Sequence, residues 1–313
     1  LCNTNTNTKT NTKTMITIAM NGGLGNQLFQ VFAALAAAIR NGDTCYFLHT
    51  MRDVSGKRGT YWNSLFHALK PMTVIATQAN LMRFMQLPTH QEPSFKYTPL
   101  PRQTAMNSTP LKLVGYFQSD KYFADARDNI YEALQLLEQQ RHIRTMFAES
   151  VWFSRDTTVT VAMHFRIGDY AAIQEAHPIL TLDYYRRALK HMIQHAPVKH
   201  NDAHEKINVL IFNQACDNAV IVDHIRQLST DPAFATRCRF HKVPDMFDDW
   251  KQLLLMSVCD HNIIANSTFS WWGAYLNQNP DKVVCRPSTW FGPALKKHDT
   301  RDLFPDGWVQ VTA

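Results

Sequence analysis

No two of the six cysteines in this 313-residue chain stand at Cys-x-x-Cys spacing; they lie at Cys2, Cys45, Cys216, Cys238, Cys259 and Cys285. That excludes a zinc ribbon and a thioredoxin-type redox motif. Most of them sit in apolar, strand-like stretches, which suits small buried hydrophobes in a reducing compartment. Also missing is any run of the roughly 18 apolar residues that spans a bilayer. The longest candidate, Leu28 to Ile39, is too short and carries Gln30. Long basic blocks are absent too: the densest basic spots are short, such as Arg186-Arg187 and Lys296-Lys297. Nothing therefore supports a nucleic-acid partner. The start lacks a secretory signal and opens instead on Leu1-Cys2 and a Thr/Asn/Lys tract through Thr14. That polar, low-complexity tract is expected to be disordered. As given, the chain reads as cytoplasmic; a Golgi or membrane-anchored location requires an anchor upstream of Leu1.

What is present is ordinary globular composition, with 45% hydrophobic and 19% charged residues. Lys and Arg total 32 against 26 Asp and Glu, a formal charge of +6, which favours anionic partners. The length predicts two domains. The expected division is a tail at 1–14, an N-terminal α/β domain at 15–155 and a C-terminal one at 156–313.

The pattern along the chain predicts α/β architecture. Met15 to Met20 is β-rich, a polar glycine loop follows, and Gln27 to Arg40 reads as an Ala/Leu helix stopped by Asn41-Gly42-Asp43. A strand is predicted at Cys45–Leu48, another at Leu111–Phe117, and one long helical region from Asp120 to Arg141. Prolines at 71, 88, 93, 99, 101 and 110 make the intervening stretch irregular. From Thr158 onward strands and helices alternate, which predicts a second doubly wound domain.

Three strand ends carry candidate chemistry. Asn21-Gly22-Gly23-Leu24-Gly25-Asn26-Gln27 joins a strand to a helix. It is not a dinucleotide fingerprint, because Leu28 stands where the last glycine belongs; nor is it a P-loop, because no Gly-Lys-Ser/Thr follows. Free amides at a helix start still favour an anion, and the Asn26 and Gln27 amides can bond a sugar or phosphate. The plain alternative is a packing turn. His164-Phe165-Arg166-Ile167-Gly168-Asp169-Tyr170 leaves an apolar strand. Alternation puts His164 and Arg166 on one face, where an Arg fork can grip phosphate. Asp169 either orients Arg166 or acts as a base, and a purely structural Arg166–Asp169 pair remains open. His164 is open as a plain core histidine, and it has no partner at metal-ligand spacing. Last, Asn266-Ser267-Thr268-Phe269-Ser270-Trp271-Trp272 turns from a strand into a helix. Hydroxyls, free amides and the helix dipole together suit a diphosphate; simple capping above a packed Trp pair is the alternative.

Together these stretches, with Val284-x-Arg286-Pro287-x-x-Trp290-Phe291, resemble the motifs of the α-1,2-fucosyltransferases of glycosyltransferase family 11, in the family's order. The resemblance implies a GT-B type fold of two facing Rossmann-like doubly wound domains. It implies GDP-β-L-fucose as donor and co-substrate, no metal or other cofactor, and inverting transfer to the 2-OH of a galactose-containing glycan. Arg166 would then hold the β-phosphate of the leaving GDP. Gly23, Gly25, Asn26 and Gln27 would line the donor cleft from one side. Asn266, Ser267, Thr268, Phe269 and Ser270 would cradle diphosphate and fucose from the other. His164, Arg166 and Asp169 form the expected catalytic group, with Asp120 and Glu175 as further candidate bases. Asp245, Asp248 and Asp249 are candidates for the guanine edge. Ile167 stands where many relatives carry a second Arg, and His-x-Arg-Ile-Gly is also found in protein O-fucosyltransferases. That keeps a peptide acceptor open as an alternative, and a catalytically silent nucleotide-sugar-binding protein as another.

Overall fold

The computed structural model describes residues 14–101, 109–150, 159–195 and 206–313. The expected tail falls outside these up to residue 13, as does the expected boundary between 155 and 156. Thr14 is inside and is tied down: its amide and hydroxyl both donate to Asp43, at 3.0 and 2.5 Å.

The N-terminal half contains β1 (Met15–Ile18), α1 (Leu24–Asn41), β2 (Thr44–Cys45), β3 (Phe47–His49), β4 (Thr73–Ile75), α2 (Gln78–Gln86), β5 (Thr89–Gln91), β6 (Leu111–Val114), α3 (Arg127–Ala133) and α4 (Leu136–Phe147). Its main sheet has the order β2-β1-β6-β5, and β3 pairs with β4 beside it. The C-terminal half contains β7 (Thr160–His164), α5 (Leu182–His195), β8 (Ile207–Phe212), α6 (Asn218–Thr230), β9 (Cys238–Lys242), α7 (Asp249–Ser257), β10 (His261–Ile263), α8 (Thr268–Tyr275), β11 (Val284–Pro287) and β12 (Val309–Val311). Its sheet has the order β12-β11-β10-β7-β8-β9, and every ladder is parallel. Counted from its own first strand this is the 3-2-1-4-5-6 order of a Rossmann sheet, with the switch point between β7 and β10.

Local sequence explains the central elements. β7 and β8 are buried at every position, as strands covered on both faces must be. α1 is buried from Leu24 through Ala38 at all but Asn26, because one side meets its sheet and the other meets α8. It ends at Gly42, whose left-handed backbone (φ 69°) lets its amide reach the Ala38 and Ile39 carbonyls.

The helical region predicted from Asp120 to Arg141 is present, as several short pieces. Gln135, with φ 51°, breaks it between α3 and α4. No proline or glycine marks that break; it lets Leu134 and Leu136 both enter the core. The irregular stretch holds β4, α2 and β5, and β12 was not predicted at all. Among the described residues Cys45, Cys238, Cys259 and Cys285 are buried free thiols and Cys216 is exposed. No helix among them is long and apolar enough to cross a membrane.

The halves are joined by the crossing of α1 and α8. Phe29 packs on Trp271 (centroids 4.4 Å) and Phe32 on Trp272 (4.5 Å), while Phe123 stacks on Trp272 (5.4 Å). Trp271 donates its indole N–H to the Leu303 carbonyl at 2.9 Å. The helices approach so closely that a Cβ on Gly25 would lie 2.5 Å from the Thr268 carbonyl carbon. A Cβ on Gly23 would meet nothing within 4 Å. Gly25→Ala is therefore expected to cost roughly 1–3 kcal/mol, as overpacking does. Gly23→Ala should stay within a fraction of that. Urea unfolding of both variants checks it, and equal midpoints would contradict the close crossing.

Candidate active site

Both halves contribute to one cavity of about 840 Å³ at the carboxyl ends of the strands. Gly23, Leu24, Gly25 and Asn26 line it from the start of α1; Asn266, Ser267, Thr268 and Phe269 line it from the start of α8. Each helix begins without a side-chain cap: the N-cap of α1 is Gly23, which has no side chain to offer, and at the N-cap of α8 the Ser267 side chain makes no bond to the first turn. The first-turn amides of two helices are thus left for a ligand, and both dipoles place positive potential at one cavity.

Arg166 adds a full charge. It follows β7, beside β10, at the switch point where ligands of open α/β sheets bind. Its guanidinium donates to Asp169 at 2.6 Å and lies over the Tyr170 ring at 5.1 Å. Tyr170 donates its hydroxyl to the Asn266 carbonyl at 3.0 Å, so the two motif loops are tied together. Gly168 fixes the turn: its amide donates to Asp217 at 3.0 Å, and a Cβ there would collide with the Gln214 side chain.

The predicted alternation holds. His164 and Arg166 line the cavity, while Phe165 turns away and stacks on Tyr185 at 3.9 Å. Burial, with the Arg166 charge beside it, pushes the His164 pKa down to about 3. It is therefore a neutral ring at physiological pH, tilted against Phe269 at 5.4 Å, and not a strong proton acceptor.

Several predicted ligands lie elsewhere. Gln27 is fully buried beneath the loop and donates to the Gly22 and Gly59 carbonyls at 2.9 and 2.7 Å. Ser270 is fully buried; its hydroxyl accepts from the Ala265 amide at 3.2 Å, below the cavity floor. Both hold the backbone rather than face the cavity. Asp169 is not on the cavity wall: it pairs with Arg166 and reaches Arg58 at 3.5 Å. Asp120 and Glu175 do not line the cavity either, and nor does Asp248. Asp245 and Asp249 do line it, but both oxygens of Asp245 are engaged, by Asn218 at 2.7 Å and Lys242 at 2.5 Å. Asp249 accepts from the Tyr61 hydroxyl across the cleft and from the Trp250 amide at 2.7 Å.

Sequence reasoning missed the loop that carries Lys57 and Arg58, which brings two more cations to the cavity. Asp53 organises it. Its carboxylate accepts from the amides of Gly22, Lys57 and Arg58 at 2.9, 3.1 and 3.2 Å. The glycine loop and the cationic loop are thereby one unit. The signal is present in the sequence, as adjacent Lys57 and Arg58 before Gly59. Also missed were Gln118, which donates to Asn26 at 3.1 Å, and Asn213, whose buried side-chain oxygen has no partner. Asn266 has a similarly unpartnered oxygen, while its side-chain amide donates to the Pro178 carbonyl at 2.9 Å. Such acceptors fit the donors of a base or a sugar. Among the described residues no three His, Cys, Asp or Glu side chains come together as a metal site.

The pattern of glycosyl transferase family 11 matches residues 2–312. The chain belongs to glycosyltransferase family 11. It is 26% identical to an O-antigen biosynthesis glycosyltransferase, WbnK, of Escherichia coli, over 93% of this chain and 99% of that protein. It is 24% identical to an alpha-1,2-colitosyltransferase of Escherichia coli, over 95% and 99%. A galactoside 2-alpha-L-fucosyltransferase of Caenorhabditis elegans is also 24% identical, over 95% of this chain and 79% of that one. The solved structure of an Arabidopsis thaliana FUT1 mutant in complex with GDP has the same fold, with a TM-score of 0.52 at 12% identity, covering 95% of this chain and 76% of that one. This family 11 glycosyltransferase is thus of GT-B type, as the resemblance implied.

The buried His164 makes stability depend on pH with a definite sign. The unfolded chain takes up a proton near pH 6.5 and the folded one only near 3. Between those values the unfolded state binds more protons, so stability falls as pH falls, by up to about 1.4 kcal/mol per pH unit. His164→Gln removes that contribution. Urea unfolding at pH 7 and pH 5 is expected to show a larger loss for the parent than for the variant.

Proposed function

We propose that the protein transfers L-fucose from GDP-β-L-fucose to the 2-OH of a galactose-type acceptor, with inversion and without a metal. The observation that carries the reading is the convergence of Arg166 and two uncapped helix starts on one cavity. That is the arrangement a departing diphosphate needs. The curated relatives name fucosyl and colitosyl transfer, which supports a GDP-linked 6-deoxy sugar as donor.

In the proposed reaction the bond between fucose C1 and the β-phosphate oxygen lengthens, and its electron pair goes to GDP. Arg166 and the first-turn amides of α8 stabilise that growing charge, the service a metal performs elsewhere. The acceptor oxygen attacks C1 from the opposite face. Its proton passes to water or to the departing phosphate, because Asp120, Asp169 and Glu175 do not line the cavity. An oxocarbenium-like centre is electrophilic enough to need little help from a base. Asp169 is a positioning residue that holds the Arg166 fork. The colitosyltransferase relative supports a second reading, in which the donor sugar lacks the 3-hydroxyl of fucose.

The test is GDP release from GDP-fucose and from GDP-colitose, with lactose, N-acetyllactosamine or no acceptor, in EDTA. Release is expected to rise with a galactoside and to survive EDTA. Arg166→Ala should lower it by about 100-fold or more, the scale of one lost charge-stabilising donor. Tight GDP binding without turnover on any acceptor would instead favour a silent binding protein. Ser267→Ala should weaken GDP binding with little change in stability, and Ser270→Ala should destabilise by about 1–3 kcal/mol, the cost of an unpaired buried amide.

A further inference from the structure

A second cavity, of about 310 Å³, lies beside the main one, and Trp290 lines both. Arg286 points into it from the carboxyl end of β11. Its guanidinium lies over the Phe304 ring at 4.2 Å, and its Nε is buried with no partner. No carboxylate pairs with it among the described residues. Arg301, also on the wall, is already paired with Asp299 at 2.7 Å. Asp306 lines the cavity without forming an ion pair with Arg286. Thr300 and Ser288 add hydroxyls. A half-buried guanidinium without a counter-ion is costly, and the protein tolerates that cost here. With one face on Phe304, its edge presents the forked donors that match planar or tetrahedral oxyanions.

We propose that this cavity is a second anion site, which binds a carboxylate or phosphate group carried by a saccharide. The site stands on its own geometry. That the saccharide is the acceptor, extended past Trp290 from the transfer cavity, rests on the function proposed above. The stacked guanidinium and the cavity size fit one acidic sugar residue or one sugar phosphate. An acceptor with such a group would be held at two points, and a neutral one at only one.

The experiment uses the whole chain saturated with GDP, so that the Arg166 seat is filled. Binding of methyl β-D-glucuronide, galactose 1-phosphate and neutral methyl β-D-galactoside is measured by calorimetry or ligand-observed NMR. At least one acidic probe is expected to bind tighter than the neutral one. Preference for the glucuronide assigns the carboxylate source, and preference for the phosphate assigns the other. Arg286→Gln should weaken the acidic probe about tenfold or more and leave GDP affinity unchanged. Arg286→Lys, which keeps charge but loses the fork, should fall between. Acidic probes binding no tighter than the neutral one would overturn the proposal, and that comparison needs no variant. So would loss of the acidic probe in Arg166→Ala but not in Arg286→Gln. If GDP itself does not bind, the donor assignment fails, while the acidic-probe comparison between parent and Arg286→Gln still decides the second site.

Discussion

The close crossing of α1 over α8 is the constraint on which the rest depends. Two helices from different sheets meet where Gly25 lies against the Thr268 backbone. The contact is made tight by Phe29, packed on both Trp271 and Trp272, and by Phe32, packed on Trp272. Burying four large aromatic rings supplies enough free energy to fix the crossing. The crossing fixes the chemistry, because each helix starts at the cavity it helps to form. Were α1 farther away, its first-turn amides would face solvent, and of the two helix starts only that of α8 would add to the positive potential of the cationic side chains. The paired tryptophans are therefore structural in position and electrostatic in consequence.

Concentrating positive potential in a cavity creates a cost that the same residues must contain. Arg166 is held by Asp169 and Tyr170, and Tyr170 is in turn held by the Asn266 carbonyl. The neighbouring His164 responds by staying neutral. A protonated ring there would compete with Arg166 for the same anion and repel it when the site is empty. Asp53 is placed so that its charge is spent on amides of the glycine and cationic loops, not on the ligand. Carboxylates near the cavity are generally engaged in this way, which leaves the cationic groups dominant.

Much of this was legible in the sequence, and the illegible parts share a cause. The strand ends at Gly22–Asn26, His164–Arg166 and Asn266–Phe269 are local signals: an apolar run, then polar residues, then a helix. Period-two alternation put His164 and Arg166 on one face correctly. The family resemblance supplied the GT-B arrangement; the switch point between β7 and β10 comes from strand order, which no local pattern encodes. Gln27 and Ser270 failed as ligands for a related reason. An amide or hydroxyl beside a helix start is equally able to bond a ligand or the nearby backbone, and burial decides which. Both are fully buried, so they bond backbone. The break at Gln135 carries no glycine or proline, since its left-handed backbone is imposed by the burial of Leu134 and Leu136.

Arg58 shows how an irregular stretch acquires a role that its own sequence does not announce. Its loop has no regular structure to aim a side chain, and aim comes from Asp53, which ties the loop to Gly22. Arg58 then reaches Asp169 at 3.5 Å, across from Arg166 on the other side of the same carboxylate. One carboxylate thus bridges cations from both halves. Both partners of the weaker contact are half-exposed, so it is a loose link screened by water. A ligand anion between Arg58 and Arg166 would compete with Asp169 for Arg58 without disturbing the tighter Arg166 pair. With its backbone held by Asp53, the Arg58 side chain is therefore the part of the site free to swing toward an anion, while the β7 loop is pinned through Gly168 and Tyr170.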